Sequence, residues 1–451
     1  MSLSENGQDS VESRRQEMVA TAETTANPAK TRTSAAQVRQ NQLGVLRRPN
    51  VRSAAIFIAL SYATALASYA ISFFLARRLG DEFFGQLSFG LVTSSILSTL
   101  ILFGFDRTLV RDLIQRPHPE DTFTGSLRIR AILTAIVVPG AIAAMILGGV
   151  RADLLITASI CCFHGACMAL SPRGWFDYRR RMSRHAALLL LERVIYGCLV
   201  VVVIFAVPGG ARSWPVALAL LAATLASTIW QYRWSVRKLG LRLMNTPSNT
   251  HGLAAANIPI IAAALGNLGM THVNQLILHG QRGNAALAHY AIAFQLIQAS
   301  QLFAGQLNRF LALHIANVTA LPRAEIRKSL RKTVLRSLAL SGITSLAVVL
   351  VGSIAIIMLL PPSFRPSTRI LWVLGIWSTL YGVALTVNSF LLGLGRNNSF
   401  FLIATCCGLM AVIASALLIP AYGGMGAALA LLIGHATSIG LQMFVVYRAI
   451  R

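Results

Sequence analysis

Long apolar runs separated by short polar stretches fill the chain from residue 54 to residue 447. Twelve runs stand out, at about 54–76, 86–105, 131–149, 153–171, 187–207, 214–232, 255–278, 287–308, 338–360, 370–392, 400–420 and 426–447. Each approaches the roughly 20 apolar residues that a helix needs to cross the hydrocarbon core of a bilayer. No water satisfies backbone groups there, so only helices or closed barrels span it. The runs are unbroken and lack the roughly ten-residue alternation of a barrel strand, so they predict helices. The predicted fold is all-α, a polytopic membrane protein of about 12 transmembrane helices. Residues 1–50 are rich in Ser, Thr, Ala, Gln, Glu and Arg and poor in aliphatic side chains, which predicts a disordered tail. They hold no apolar stretch of the kind found in a signal peptide.

Composition agrees with the pattern. The 451 residues are 55% hydrophobic and 12% charged, about half the share of charge in a soluble domain. Too little charge is present to cover a water-facing surface. The net charge of +25 points toward nucleic acid only until the charges are placed. They fall in short blocks between apolar runs and form no single basic face, so no nucleic-acid partner is expected. Their distribution sets an orientation, because cytoplasmic loops carry the excess of Lys and Arg. With the N-terminus cytoplasmic, 31 basic residues fall inside and 7 outside. The outer seven are Arg77, Arg78, Arg151, Arg212, Arg282, Arg365 and Arg369. A miscounted span would scramble this alternation. The expectation is a multi-pass protein of the cell inner membrane with both termini cytoplasmic.

The two halves echo each other. Leu75-Ala-Arg-Arg-Leu-Gly80 with Gly85 follows the first span, and Leu278-His-Gly-Gln-Arg-Gly283 with Tyr290 follows the seventh. Pro208-Gly209-Gly210 follows the fifth, and Pro420-Ala-Tyr-Gly423-Gly424-Met-Gly426 the eleventh. The echo predicts two pseudo-symmetric six-helix bundles, residues 51–245 and 246–451. Transporters are commonly built from such repeats, with the substrate site between them.

Charge inside a span costs roughly 2.5–3.5 kcal/mol on insertion scales, so each case needs a reason. Glu192 and Arg193 lie in the inner third of span 5, as neighbours pointing about 100° apart and so not simply paired. They face a cavity or snorkel toward the cytoplasm. Arg309 closes span 8, whose Gln295, Gln298 and Gln306 share one face. Span 7 adds Asn267, His272, Asn274 and Gln275, and span 10 adds Asn388. Such polar faces line a lumen or bond helix to helix. In a lumen, amides suit sugar hydroxyls and arginines grip phosphate bidentately. Asp106, Arg107, Arg111 and Asp112 read as an interfacial cluster. His164 and His435 read as packed, hydrogen-bonded histidines.

Enzymatic readings find little. The six cysteines sit in apolar runs without CxxC or Cys/His spacing, as small packing residues do. Neither a GxxxxGK[ST] loop, a GxSxG nor an HExxH is present. The external loops are short and the longer internal ones, near 107–130 and 233–254, carry no catalytic signature. No enzyme activity, metal or cofactor is expected.

Four motifs carry a family likeness: Ala76-Arg77-Arg78-Leu79-Gly80 through Phe84-Gly85, with Phe103-Gly104-Phe105-Asp106-Arg107 and Arg111; Trp175-Phe-Asp-Tyr178 before a basic cluster; Leu391-Leu-Gly393-Leu-Gly395-Arg396-Asn397; and Pro420-Ala-Tyr-Gly423-Gly-Met-Gly426-Ala427-Ala428. In this order, over residues 50–450, the chain resembles the polysaccharide-transport (Wzx-like, O-antigen and exopolysaccharide) flippases of the multidrug/oligosaccharidyl-lipid/polysaccharide exporter superfamily. The resemblance implies a cargo of undecaprenyl-diphosphate-linked oligosaccharide, moved to the periplasmic leaflet by alternating access driven by an ion gradient. It also implies contact with membrane lipid and with a polysaccharide polymerase and co-polymerase. Asn274 stands where many relatives carry Asp, which departs from a cation-coupling role there. The rivals are a multidrug exporter, which needs more intramembrane acid than Glu192, and a membrane polymerase or ligase, which needs a sizeable external loop.

Overall fold

A computed structural model describes residues 51–116, 118–206, 212–242, 250–318 and 322–450. The predicted tail and the Pro208-Gly209-Gly210 turn lie outside the described residues. The described chain is helical almost throughout and contains no strand. Its helices are α1 (Val51–Leu102), α2 (Phe105–Gln115), α3 (Pro119–Leu147), α4 (Ala152–Leu170), α5 (Arg173–Tyr178), α6 (Met182–Ala206) and α7 (Ser213–Leu239). Then follow α8 (Thr250–Leu268), a π-helical turn (Gly269–Val273), α9 (Asn274–Val318), α10 (Arg323–Leu359), α11 (Pro366–Gly393), α12 (Asn397–Tyr422) and α13 (Gly424–Ile450). Phe57–Arg451 forms one compact unit.

Ten continuous stretches among the described residues are long and apolar enough to cross a membrane. Two of them, Ala55–Gln115 and Gly252–Gln306, run for 61 and 55 residues. At 1.5 Å per residue a straight helix of that length would reach roughly 80–90 Å, nearly three times the hydrocarbon thickness. Both break at a glycine in the same backbone conformation: Gly80 at φ 73°, ψ 178° and Gly283 at φ 77°, ψ −171°. No Cβ is tolerated comfortably in that region, so glycine supplies the reversal. Each stretch therefore contributes two passes, and the count of twelve read from the apolar runs follows. Leu75 and Leu278, five residues before each reversal, are both buried, so the echo between the halves extends from residue type to backbone and burial.

Large apolar side chains, among them Leu147, Met358 and Leu417, cover the outside, as a lipid-facing surface requires. Small and polar residues mediate the helix contacts inside. Ser337, Ser341 and Ser345 recur every four residues, which places them on one face of α10. That face packs on α11, where Ser337 donates to the Gly382 carbonyl at 2.9 Å and Ser345 to the Gly375 carbonyl at 2.6 Å. Close backbone approach through small residues is how helices associate in lipid, where hydrophobic burial gives no preference.

The described parts of the stretches read as internal loops turn out to be largely helical. Residues 107–130 comprise most of α2 and the first three turns of α3, which starts with Pro119 at its first position and Glu120 and Asp121 in its first turn. Residues 233–254 contain the end of α7 and the start of α8. Charge interrupts the apolar pattern in both over residues that are still helical.

Candidate functional site

A chamber of about 330 Å³ lies between the two halves. The first half contributes a row of hydroxyls from α1 (Ser68, Ser72, Ser88, Ser94, Ser95), with His164, Arg193 and Tyr196; the second contributes His272, Gln275, Gln295 and Gln298. Ser68 and Ser72, four residues apart, lie before the Gly80 reversal, and Ser88, Ser94 and Ser95 lie after it, so both arms of α1 present hydroxyls to the chamber. Gln295 donates to Ser72 at 2.7 Å, joining α9 to α1. His164 Nδ1 meets Ser94 Oγ at 2.9 Å, while its Nε2 is buried without a partner, as is Nδ1 of His272. Hydrogen-bonding capacity is therefore left over at the wall. Such atoms are costly to bury unbonded.

A second chamber of about 230 Å³ opens within the first half. Asp106, Arg130, Arg173, Asp177, His185, Glu192, Arg193 and Thr224 line it. Ser98, Met168 and Arg193 belong to both walls, so the two chambers meet there. Glu192 accepts a hydrogen bond from Thr224 at 3.1 Å. The Arg193 guanidinium lies 3.8 Å from the same carboxylate oxygen. This corrects the expectation that these sequence neighbours would not pair: the long arginine side chain curls back across the 100° that separates their Cβ directions. The contact is loose, and Arg193 keeps donors for the chamber.

Arg130 is the residue the sequence reading missed. It falls at the end of the 107–130 stretch that reads as an internal loop, yet it is 2% exposed. Its Nη1 donates to the Ala169 carbonyl at 2.9 Å and its Nε to the Ser126 carbonyl at 3.2 Å. Ala169 lies in the last turn of α4, whose carbonyls lack helical partners, and the guanidinium fits the negative end of that helix. The signal was available: Pro119-Glu120-Asp121 is a helix start, and it places Arg130 three turns inside α3.

The halves touch at both ends of the central chamber. At the end bearing Gly80 and Gly283, Asn284 donates to Glu82 at 2.6 Å and His289 lies 3.9 Å from Asp81. At the opposite end Thr108 donates to Asn257 at 2.7 Å.

Of the predicted site residues, Arg193, Gln295 and Gln298 share the central chamber and Glu192 adjoins it. Asn274 is buried, donating to the Tyr290 hydroxyl at 3.0 Å and to the Ala427 carbonyl at 3.4 Å, inside the second half. Asn388 lies on α11, its side-chain oxygen buried and unbonded. The side chain of Arg309 lies outside the described residues. Among the motif residues, Arg77, Arg107 and Arg111 are exposed, and Arg111 pairs with Asp112 at 3.0 Å. Asp106 lines the smaller chamber, and Gly85 packs directly on the Asn284 backbone. Gly423 turns α12 into α13, where Gly426 packs on Leu418. His435 is buried against Trp377 and faces the Leu431 carbonyl at 3.2 Å.

Repeated reversals, lipid-facing flanks and a polar chamber walled by both halves define a multi-pass membrane protein. The family described as polysaccharide biosynthesis protein matches residues 51–308, and the chain belongs to that family. No curated protein matches the chain. Among solved structures, it is similar to the lipid II flippase MurJ in an inward closed conformation, at 11% identity and TM-score 0.68 over 87% of each chain. An inward-facing multidrug resistance MATE family transporter of the MOP superfamily aligns at 14% identity and TM-score 0.58, over 87% of this chain and 94% of the other. An outward-facing MATE transporter aligns at 13% identity and TM-score 0.53, over 88% and 95%. These likenesses show a shared fold.

Proposed function

We propose that this protein is a flippase that moves undecaprenyl-diphosphate-linked oligosaccharide repeat units across the bacterial inner membrane, for O-antigen or exopolysaccharide synthesis. The observation that carries the reading is the central chamber, where Arg193 shares a wall with serine hydroxyls and the amides of Gln275, Gln295 and Gln298. A guanidinium suits a diphosphate and the amides suit sugars, while the polyprenyl chain stays in lipid. The halves 51–245 and 246–451 rock against each other to expose the chamber to one leaflet and then the other. The excess of internal cations supports cytoplasmic termini, so the Gly80 and Gly283 reversals face the periplasm. Glu192, Arg193, Gln295 and Gln298 are the proposed cavity residues, with Arg309, Asn274 and Asn388 as further candidates in the second half. A polymerase and its co-polymerase are the proposed receivers of the product.

A deletion strain is expected to accumulate lipid-linked repeat units in the inner leaflet and to lose surface polysaccharide. Complementation with Arg193→Ala is expected to leave export at least about tenfold reduced at unchanged protein level, a loss equal to one charge-assisted contact. Normal polysaccharide accompanied by lost drug resistance in the deletion strain would overturn the reading in favour of an exporter.

A further inference from the structure

The last turns of α7 form a surface groove of about 500 Å³, walled by Trp230, Arg233, Trp234, Arg237 and Lys238 and continued by Ala226 and Ile229. The chamber residues play no part in it. Spacings of four residues place Trp230 beside Trp234 and Arg233 beside Arg237 along one helical face. Trp234 is fixed in place by stacking on Phe176, with ring centroids 5.4 Å apart and planes 10° from parallel. Arg233, Arg237 and Lys238 are exposed. Among the described residues none of the three makes an ion pair or hydrogen bond, and no carboxylate lines the groove. Arg111, Arg173 and Arg193, by contrast, each lie within 4 Å of an acid, at 3.0, 3.8 and 3.8 Å.

The groove is also polar along its length. The cations gather toward the end of α7, whereas Ile229 and Trp230, 58% and 54% exposed, lie one to two turns deeper in the span. Ala226, a turn deeper again, leaves a notch beside them. A charged mouth, indoles at headgroup level and an apolar notch toward the bilayer centre follow the order of a lipid from headgroup to acyl chain.

We infer that this groove is a binding site for an anionic phospholipid, its phosphate held between Arg233 and Arg237 with Lys238 alongside, and one acyl chain laid over Ile229 and Ala226. The site is separate from the cargo chamber and does not depend on the proposed function.

Native mass spectrometry of the purified full-length protein, titrated with dioleoylphosphatidylglycerol or dioleoylphosphatidylethanolamine, tests this. The wild type is expected to retain phosphatidylglycerol preferentially. Arg233→Gln, Arg237→Gln and Lys238→Gln together are expected to lower that retention about a hundredfold, given roughly fivefold per surface cation. Trp230→Ala is expected to lower it without changing charge. Arg327→Gln, Lys328→Gln and Arg331→Gln, which remove an equally cationic exposed cluster on α10, are expected to leave it unchanged. Retention that survives the α7 triple or the Trp230 variant overturns the site. So does retention that falls equally in the α10 control, since binding is then diffuse surface charge.

Discussion

Arg130 shows what a buried cation needs when no carboxylate is at hand. Its Nη1 reaches the Ala169 and Ser171 carbonyls at 2.9 and 3.4 Å, and its Nη2 lies 3.3 Å from Ser126 Oγ. The side chain thereby ties α3 to the end of α4 and closes one wall of the smaller chamber. Arg130→Leu removes the donors and leaves those carbonyls short of partners, at a cost of about 1.5–3 kcal/mol for hydrogen bonds to a charged group. A thermal-shift assay on purified protein is expected to show a lowered midpoint for Arg130→Leu, and a smaller drop for Arg130→Lys, which keeps the charge but not the fork. An unchanged midpoint in Arg130→Leu would show that the bonds carry no net stability. At this scale the sequence was legible in part. Polar residues in apolar runs marked Arg193, Gln295 and Gln298 as wall candidates. It could not separate them from Asn274, because a buried amide bonded to Tyr290 and a lumen-facing amide leave the same mark in the chain. The α1 serines were unread, since a hydroxyl in a span bonds its own helix as readily as a chamber.

The helices themselves were the more readable level, because a bilayer of fixed thickness imposes run lengths that packing alone does not. What blurred was helix outside the apolar band. α2 and the first turns of α3 are charged and therefore looked like loop, although helix-start chemistry was present at Pro119. The reversals at Gly80 and Gly283 were legible as glycine turns, and the structure shows that the two share one backbone conformation. Alanine at either position must hold a β-carbon in a region open essentially to glycine, costing about 1–3 kcal/mol. Gly80→Ala and Gly283→Ala are each expected to lower the unfolding midpoint, measured by the same assay. Gly140→Ala provides the control, because Gly140 has an ordinary φ and open space at its Cβ. Equal midpoints for all three variants would remove the special role of the reversals.

Both packing and polar pairs close the reversal end of the chamber: Phe84 meets Phe364 with ring centroids 6.3 Å apart, and Gly85 packs on the Asn284 backbone. At the reversal end the first half meets the second through Glu82 with Asn284 and Asp81 beside His289. These pairs are partly exposed, so each contributes little stability, and opening this end must also part the apolar packing around them. Cysteines at Glu82 and Asn284, in a background with exposed Cys198 and Cys406 replaced by serine, can be bridged by a cleavable bifunctional thiol reagent. Bridging is expected to abolish export, and cleavage of the bridge to restore it. Export that persists in fully bridged protein would show that this end need not open. None of these contacts was visible in the chain, since they join residues more than two hundred positions apart. Ser98, Met168 and Arg193, by contrast, each serve two rooms at once. A substitution at any of them reshapes both, so drift there is doubly constrained. Gln295, Gln298 and His272 border the central room alone, and a lineage adapting to a new cargo has its freest choices at those positions.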